Sequence, residues 1–150
     1  MAAVVFSRPE ISAATIGTVT ESTPPRPGRI LVVDDDEMIG TLLRRLLGRE
    51  NEVHVVHDAQ SALSLLQNDA NFDVILSDVM LPGMTGTELL AELKTRNAAL
   101  AERLVFLTGG AFSPEVRAAL TAATNPLLEK PFDRAQLKAV VEQFIRRHTP

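Results

Sequence analysis

The sequence contains no cysteine, so disulfides, thiolate catalysis and sulfur-ligated metal centres are excluded. Tryptophan and tyrosine are missing too, and aromatic residues make up only 4% of the chain. Stacking platforms for bases or sugars therefore have almost no raw material. No uninterrupted apolar run approaches the length that spans a bilayer. The opening Met1-Ala2-Ala3-Val4-Val5-Phe6 lacks the basic flank and long apolar core of a secretory signal. A cytoplasmic location without membrane insertion is the expectation. Positive charge is also scarce: 15 lysines and arginines face 19 acids, a formal net charge of -4. That argues against a general nucleic-acid surface, and no direct nucleic-acid binding is expected.

What is present suffices for one domain, since 150 residues at 45% apolar content can bury a real core. Residues 1–28 read as a flexible N-terminal extension or linker. Thr, Ser, Pro and Gly crowd together from Thr18 to Gly28 without useful periodicity. The folded domain is expected over residues 29–148.

From Arg29 the pattern alternates. Ile30-Leu31-Val32-Val33 is a continuous apolar, β-branched run, as for a strand covered on both faces. It stops at Asp34-Asp35-Asp36-Glu37, and Ile39, Leu42, Leu43, Leu46 and Leu47 then mark one helix face before Gly48. Residues 52–56 read as a second strand and 59–66 as a second helix. Val74 to Ser77 forms a third strand ending in Asp78. A Pro/Gly-punctuated loop follows, then a helix from about Gly86 to Thr95. Leu104 to Leu107 is a fourth strand ending in Thr108, and Ser113-Pro114 opens the next helix as cap and first-turn proline. Leu127-Leu128-Glu129 is a short fifth strand before Lys130-Pro131-Phe132. Asp133 caps the last helix, with Gln136 expected to complete a capping box. The buried stripe of that helix is expected to comprise Leu137, Val140, Val141, Phe144 and Ile145.

Five strand–helix alternations with short connections and right-handed crossovers make a parallel five-stranded α/β sheet the simplest fold. A flavodoxin-like (βα)5 three-layer sandwich with strand order 2-1-3-4-5 places strands one and three side by side at the switch point. All strand ends then share one edge, and the chain delivers Asp34, Asp35, Asp78, Thr108 and Lys130 there. Crowded carboxylates repel, and a hard divalent cation such as Mg2+ relieves them. Acids, a hydroxyl and an ammonium grouped in one cleft are suited to receiving a phosphoryl group. Other candidates read more plainly. Asp36 and Glu37 fit exposed first-turn acids that complement the helix dipole. His54 and His57 fall on opposite faces of a strand, and His148 is isolated, so histidine catalysis and zinc binding are not expected. Gly109-Gly110 lacks the spacing and following lysine of a phosphate loop.

Taken together, Val32-Val33-Asp34-Asp35, Asp78 through Gly86, Leu107-Thr108-Gly109 and Glu129-Lys130-Pro131-Phe132 resemble the receiver domain of two-component response regulators and hybrid histidine kinases, of the CheY-like superfamily. The resemblance covers roughly Arg29 to His148. It implies a phosphorelay domain that takes a phosphoryl group from phosphohistidine onto Asp78, with Mg2+ required. It also implies Asp35 and Asp78 as direct Mg2+ ligands, Asp34 acting through water and Met80 contributing its backbone carbonyl. Thr108 would bond a phosphoryl oxygen, Lys130 would pair with Asp78 or its phosphate, and Pro131 would follow a cis peptide bond. The implied partner is a histidine kinase or histidine phosphotransfer domain, docking beside helix one. The surface from the fourth to the fifth helix is a candidate homodimer or output face.

One position departs from the family pattern. Leu127 stands where the best-known members carry a switching aromatic residue, so readout is expected from the Thr108–Phe112 loop and the helix after it. Slow loss of the domain's own phosphate is expected, without turnover of external substrates. The alternative reading is a phosphorylation-independent scaffold of receiver fold. A hydrolase of similar topology would want a second acid near its nucleophile, where the chain has Met80.

Overall fold

A computed structural model describes residues 26–110 and 112–149. The five strands are β1 (Arg29–Val33), β2 (Glu52–Val56), β3 (Val74–Asp78), β4 (Leu104–Thr108) and β5 (Leu127–Glu129). They form one parallel sheet in the order β2-β1-β3-β4-β5, as the alternation predicts. Between and after them run α1 (Glu37–Leu47), α2 (Ala59–Asn68), α3 (Gly86–Arg96), α4 (Pro114–Ala122) and α5 (Arg134–Arg147), with a single helical turn at Ala98–Ala101. Because β1, β3 and β4 are buried on both faces, successive side chains feed two cores. Ile30, Val32, Val74, Leu76, Val105 and Leu107 pack with Leu43 and Leu47 of α1 and with Val140, Val141 and Phe144 of α5. Leu31, Val33, Ile75, Leu104 and Phe106 pack on the other face with α2, α3 and Val116 of α4. The result is the three-layer sandwich.

Helix ends follow cap chemistry more closely than periodicity reveals. Asp36 caps α1 by accepting the Met38 N–H, so it is a cap rather than a first-turn acid. Asp58 caps α2 in the same way through Ser61, and Thr85 with Glu88 closes a full capping box at α3. Asp133 caps α5 as expected, but Gln136 does not complete a box: its buried Oε1 has no hydrogen-bond partner. The α1 stripe is also narrower than expected. Gly40, Leu43 and Leu47 are buried, whereas Leu42 is 39% exposed because it lies about 100° around the helix from Leu43.

The sequence assigned to an N-terminal extension lies outside the described residues as far as 25. Arg26 to Gly28 are tied to the domain. The Arg26 guanidinium bonds both Asp73 carboxylate oxygens, at 3.1 and 2.6 Å, and the His148 carbonyl at 3.3 Å. The Gly28 N–H donates to Asn51 Oδ1, and its carbonyl accepts the Glu52 N–H.

Candidate functional site

The parallel register brings the carboxyl ends of β1, β3, β4 and β5 to one edge. Val33 lies opposite Ser77, Asp78 opposite Leu107, and Thr108 opposite Glu129. One residue beyond β1, Asp34 is completely buried. Its backbone N–H donates to Val56 O, its Oδ1 accepts the Asp36 N–H at 2.9 Å, and its Oδ2 accepts Lys130 Nζ at 2.8 Å. Asp35 is exposed, and among the described residues no donor bonds its carboxylate. Asp78 closes β3 with its side chain 13% exposed. Oxygen atoms of Asp34, Asp35 and Asp78 all lie within 4.8 Å of one another.

Asp78 is held between opposing effects. Burial raises its pKa most, Lys130 pulls it down, and the nearby Asp34 and Asp35 charges push it up again, while the Met80 N–H favours the ionised form; the result is about 6. Burial works against the Lys130 ammonium, but its bond to Asp34 and the Asp78 charge outweigh this and raise its pKa. Thr108 is buried at the end of β4, and among the described residues its hydroxyl reaches only the Gly110 carbonyl, at 3.5 Å. The Thr108 carbonyl accepts the Lys130 N–H at 2.7 Å, which fixes β5 beside β4 where the lysine leaves the sheet. The Lys130–Pro131 bond is cis.

The loop after Asp78 is folded back tightly. Gly83 has φ +80, and the Gly86 N–H donates to Val79 O at 2.8 Å. A Cβ on Gly86 would press on the Asp78 carbonyl and come within 3.1 Å of Val79 Cα, so only glycine lets α3 start against the strand end.

Of the residues singled out in the sequence, Asp34, Asp35, Asp78 and Lys130 meet in one place, with Thr108 on the neighbouring strand end. Met80 is adjacent and 47% exposed. Sequence reasoning passed over Ser77 and set His57 aside. Ser77 donates its hydroxyl to the Asp78 carbonyl at 3.0 Å, and His57 Nδ1 lies 3.0 Å from the Asp34 carbonyl. Neither has a local sequence signal; His57 is recognisable only once β1 and β2 are in register. The residues present suit a hard divalent cation. The donors are all carboxylate oxygens, and Asp35 and Asp78 keep lone pairs uncommitted to the protein, whereas both Asp34 oxygens already accept bonds.

The doubly wound sheet with acids at its switch point defines a phosphorelay-type receiver fold, and the comparisons agree. The chain belongs to the response regulator receiver domain family, whose model matches residues 30–142. It is 35% identical over 125 residues to Response regulator MprA of Mycolicibacterium vanbaalenii, covering 83% of this chain and 53% of that protein. It is 37% identical over 123 residues to YrkP of Bacillus subtilis, an uncharacterized transcriptional regulatory protein, covering 81% and 51%. The chain thus spans about half the length of these curated relatives. Among solved structures, the signal receiver domain of an HD domain-containing protein from Pseudomonas fluorescens Pf-5 superposes with a TM-score of 0.70 at 28% identity, over 81% of this chain and 97% of that one.

Proposed function

We propose that the chain is the phosphoacceptor receiver of a two-component phosphorelay, taking a phosphoryl group from phosphohistidine onto Asp78 and signalling by conformational change. The observation that carries this reading is the convergence of three carboxylates within 4.8 Å of one another and beside the Lys130 ammonium at the carboxyl edge of the sheet. In the reaction, an Asp78 carboxylate oxygen attacks the phosphorus of the phosphoimidazole. A P–O bond forms and the P–N bond breaks. The imidazole nitrogen keeps the electron pair and takes a proton from solvent, leaving an acyl phosphate on Asp78.

Lys130 neutralises the arriving charge; with its Nζ 3.6 Å from Asp78 Oδ1, a small side-chain rotation reaches a phosphoryl oxygen. Thr108, weakly held by Gly110, donates its hydroxyl to a second oxygen. Asp35, Asp78 and the Met80 carbonyl would hold Mg2+, with Asp34 acting through water, and the bound ion would supply further positive charge against the phosphoryl group. The position of the Asp78 pKa near 6 makes the counter-charges useful before transfer too, since they keep the nucleophile ionised.

The donor is a histidine kinase or a histidine phosphotransfer domain that docks on α1. Met38 is 79% exposed and Leu42 39%. Ile39, Leu42, Leu46 and Phe132 line one cleft with Gly109 and Lys130, so an apolar surface runs directly up to the reactive edge. The surface from α4 to α5 serves a homodimer or an output partner. The receiver domain extends over residues 29–148, preceded by an extension or linker. No helix among the described residues is long and apolar enough to cross a membrane.

The test is to incubate the protein with Mg2+ and a small phosphodonor, trap the acyl phosphate and map it by mass spectrometry. One phosphate on Asp78, absent in Asp78→Asn and without Mg2+, is expected. Phosphate on another residue overturns the assignment. A folded protein that stays unmodified by small donors and by a range of histidine-kinase donors points instead to a scaffold.

A further inference from the structure

His57 is exposed, yet one of its ring nitrogens is committed. Nδ1 lies 3.0 Å from the Asp34 carbonyl oxygen. A carbonyl can only accept, so Nδ1 carries the proton and donates it. The contact follows from the sheet register. Val33 of β1 pairs with Val56 of β2, so the next residues along the two strands, Asp34 and His57, emerge side by side. The Asp34 N–H already donates to Val56 O at 3.1 Å. His57 thus prolongs the β1–β2 ladder by one bond, with a side chain in place of the backbone.

The backbone of His57 is itself fixed on both sides, by β2 before it and by Asp58 after it. Asp58 caps α2 by accepting the Ser61 N–H at 2.7 Å. Little chain entropy remains to be lost in making the bond. On the other side of the contact, Asp34 has its amide, its carbonyl and both carboxylate oxygens engaged, and Asp35 is the next residue. The peptide that joins the two acids is the one whose carbonyl His57 holds.

We propose that His57 is a positioning residue for the acid pair. By holding the Asp34–Asp35 peptide in one orientation it aims the Asp35 carboxylate toward Asp78, and so sets the affinity of the site for a divalent cation. The inference rests on the reading of Asp34, Asp35 and Asp78 as the cation site, and adds to it a side chain that touches neither metal nor phosphate.

The test titrates Mg2+ against the wild type, His57→Ala and His57→Asn, following backbone amide shifts at Asp35 and Asp78, with metal-free thermal melts alongside. Nitrogen NMR of the wild-type imidazole gives the protonated atom. Nδ1 should carry the hydrogen. His57→Ala should bind Mg2+ about fivefold more weakly, the equivalent of roughly 1 kcal/mol. His57→Asn, whose amide can donate from nearly the same place, should bind close to wild type. His57→Phe keeps a ring without a donor and should match His57→Ala, which preserves the comparison if the alanine variant does not fold. Equal Mg2+ affinity in wild type and a folded donor-free variant overturns the proposal. So does an equal loss in the alanine and asparagine variants, because the donor would then be irrelevant. A wild type that binds no Mg2+ overturns the cation-site reading instead, and the imidazole nitrogen shifts still report the His57 bond separately.

Discussion

Lys130 sits closer to Asp34 than to Asp78: its Nζ is 2.8 Å from Asp34 Oδ2 and 3.6 Å from Asp78 Oδ1. The ammonium therefore serves a fully buried structural acid at rest, and is shared with the candidate phosphoacceptor at the longer distance. Removing it should have two separable effects, one on folding and one on phosphoryl stabilisation.

For folding, Lys130→Ala leaves the Asp34 charge buried without its cation. Urea unfolding should show a loss of about 3 kcal/mol. Adding Asp34→Asn should recover a large part of that loss, since the charge that needed a partner is then gone. If Lys130→Ala unfolds at the wild-type urea concentration, the pair contributes nothing to stability.

The Asp78 pKa predicts a pH dependence. Its folded value of about 6 lies above the ordinary 3.8, so the folded state binds this proton more tightly than the unfolded chain does. That contribution is fully present below about pH 4 and is lost as pH rises through 6. Metal-free protein should gain stability from Asp78 on acidification from pH 7 to 5. Asp78→Asn should be more stable than wild type at pH 7, by up to about 3 kcal/mol. The depressed pKa of His148, caused first by burial, acts with the opposite sign in the same window. The difference between wild type and Asp78→Asn across a pH series isolates the carboxylate, and a constant difference from pH 5 to 7 would remove the assigned shift.

Mg2+ should reverse part of this cost. At neutral pH the wild-type melting temperature should rise with Mg2+ concentration, as expected of an ion that binds the folded state in preference to the unfolded chain. Asp35→Asn should weaken the effect while changing metal-free stability little, since its carboxylate is exposed. Calorimetric melts with and without the ion decide the matter; identical Mg2+ responses would take Asp35 out of the cation site.

Thr108 should separate acceptance of the phosphoryl group from its consequences. Thr108→Ala removes one hydroxyl donor whose present bond to Gly110 is long, at 3.5 Å, so stability and Mg2+ affinity should change little. Beryllofluoride should still bind at Asp78, but the spectral change from Thr108 to Leu127 should shrink. A full-sized change in the alanine variant would exclude the hydroxyl from the response.

Much of the architecture was legible because β1, β3 and β4 carry runs that are apolar on both faces and end abruptly in polar residues. Asp34, Asp35, Asp78, Thr108 and Lys130 each follow or end such a run, so one assumption, that the strands are parallel, gathers them. What stayed hidden depends on register and reach. Whether Lys130 favours Asp34 or Asp78 is settled by less than an ångström of side-chain placement. His57 acquires meaning only from the pairing of Val33 with Val56, which no local pattern encodes. Asp36 differs from a first-turn acid by a single position, within the range over which helix boundaries shift. Leu42 joined the apolar periodicity of α1 but flanks the buried stripe, since periodicity gives a direction and not the width of the face that is covered.

The bond from Arg26 to the His148 carbonyl has a consequence for assembly. Arg26 also pairs with Asp73, the residue just before β3, while Asp78 is the last residue of that strand. Entry and exit of the described chain are therefore neighbours on one side of the molecule, and the acid cluster faces the other way, roughly 16 Å along the strand. A domain with this layout can be spliced into a longer polypeptide, or shuffled between polypeptides, without the flanking chain having to cross the approach that a phosphate-carrying partner needs.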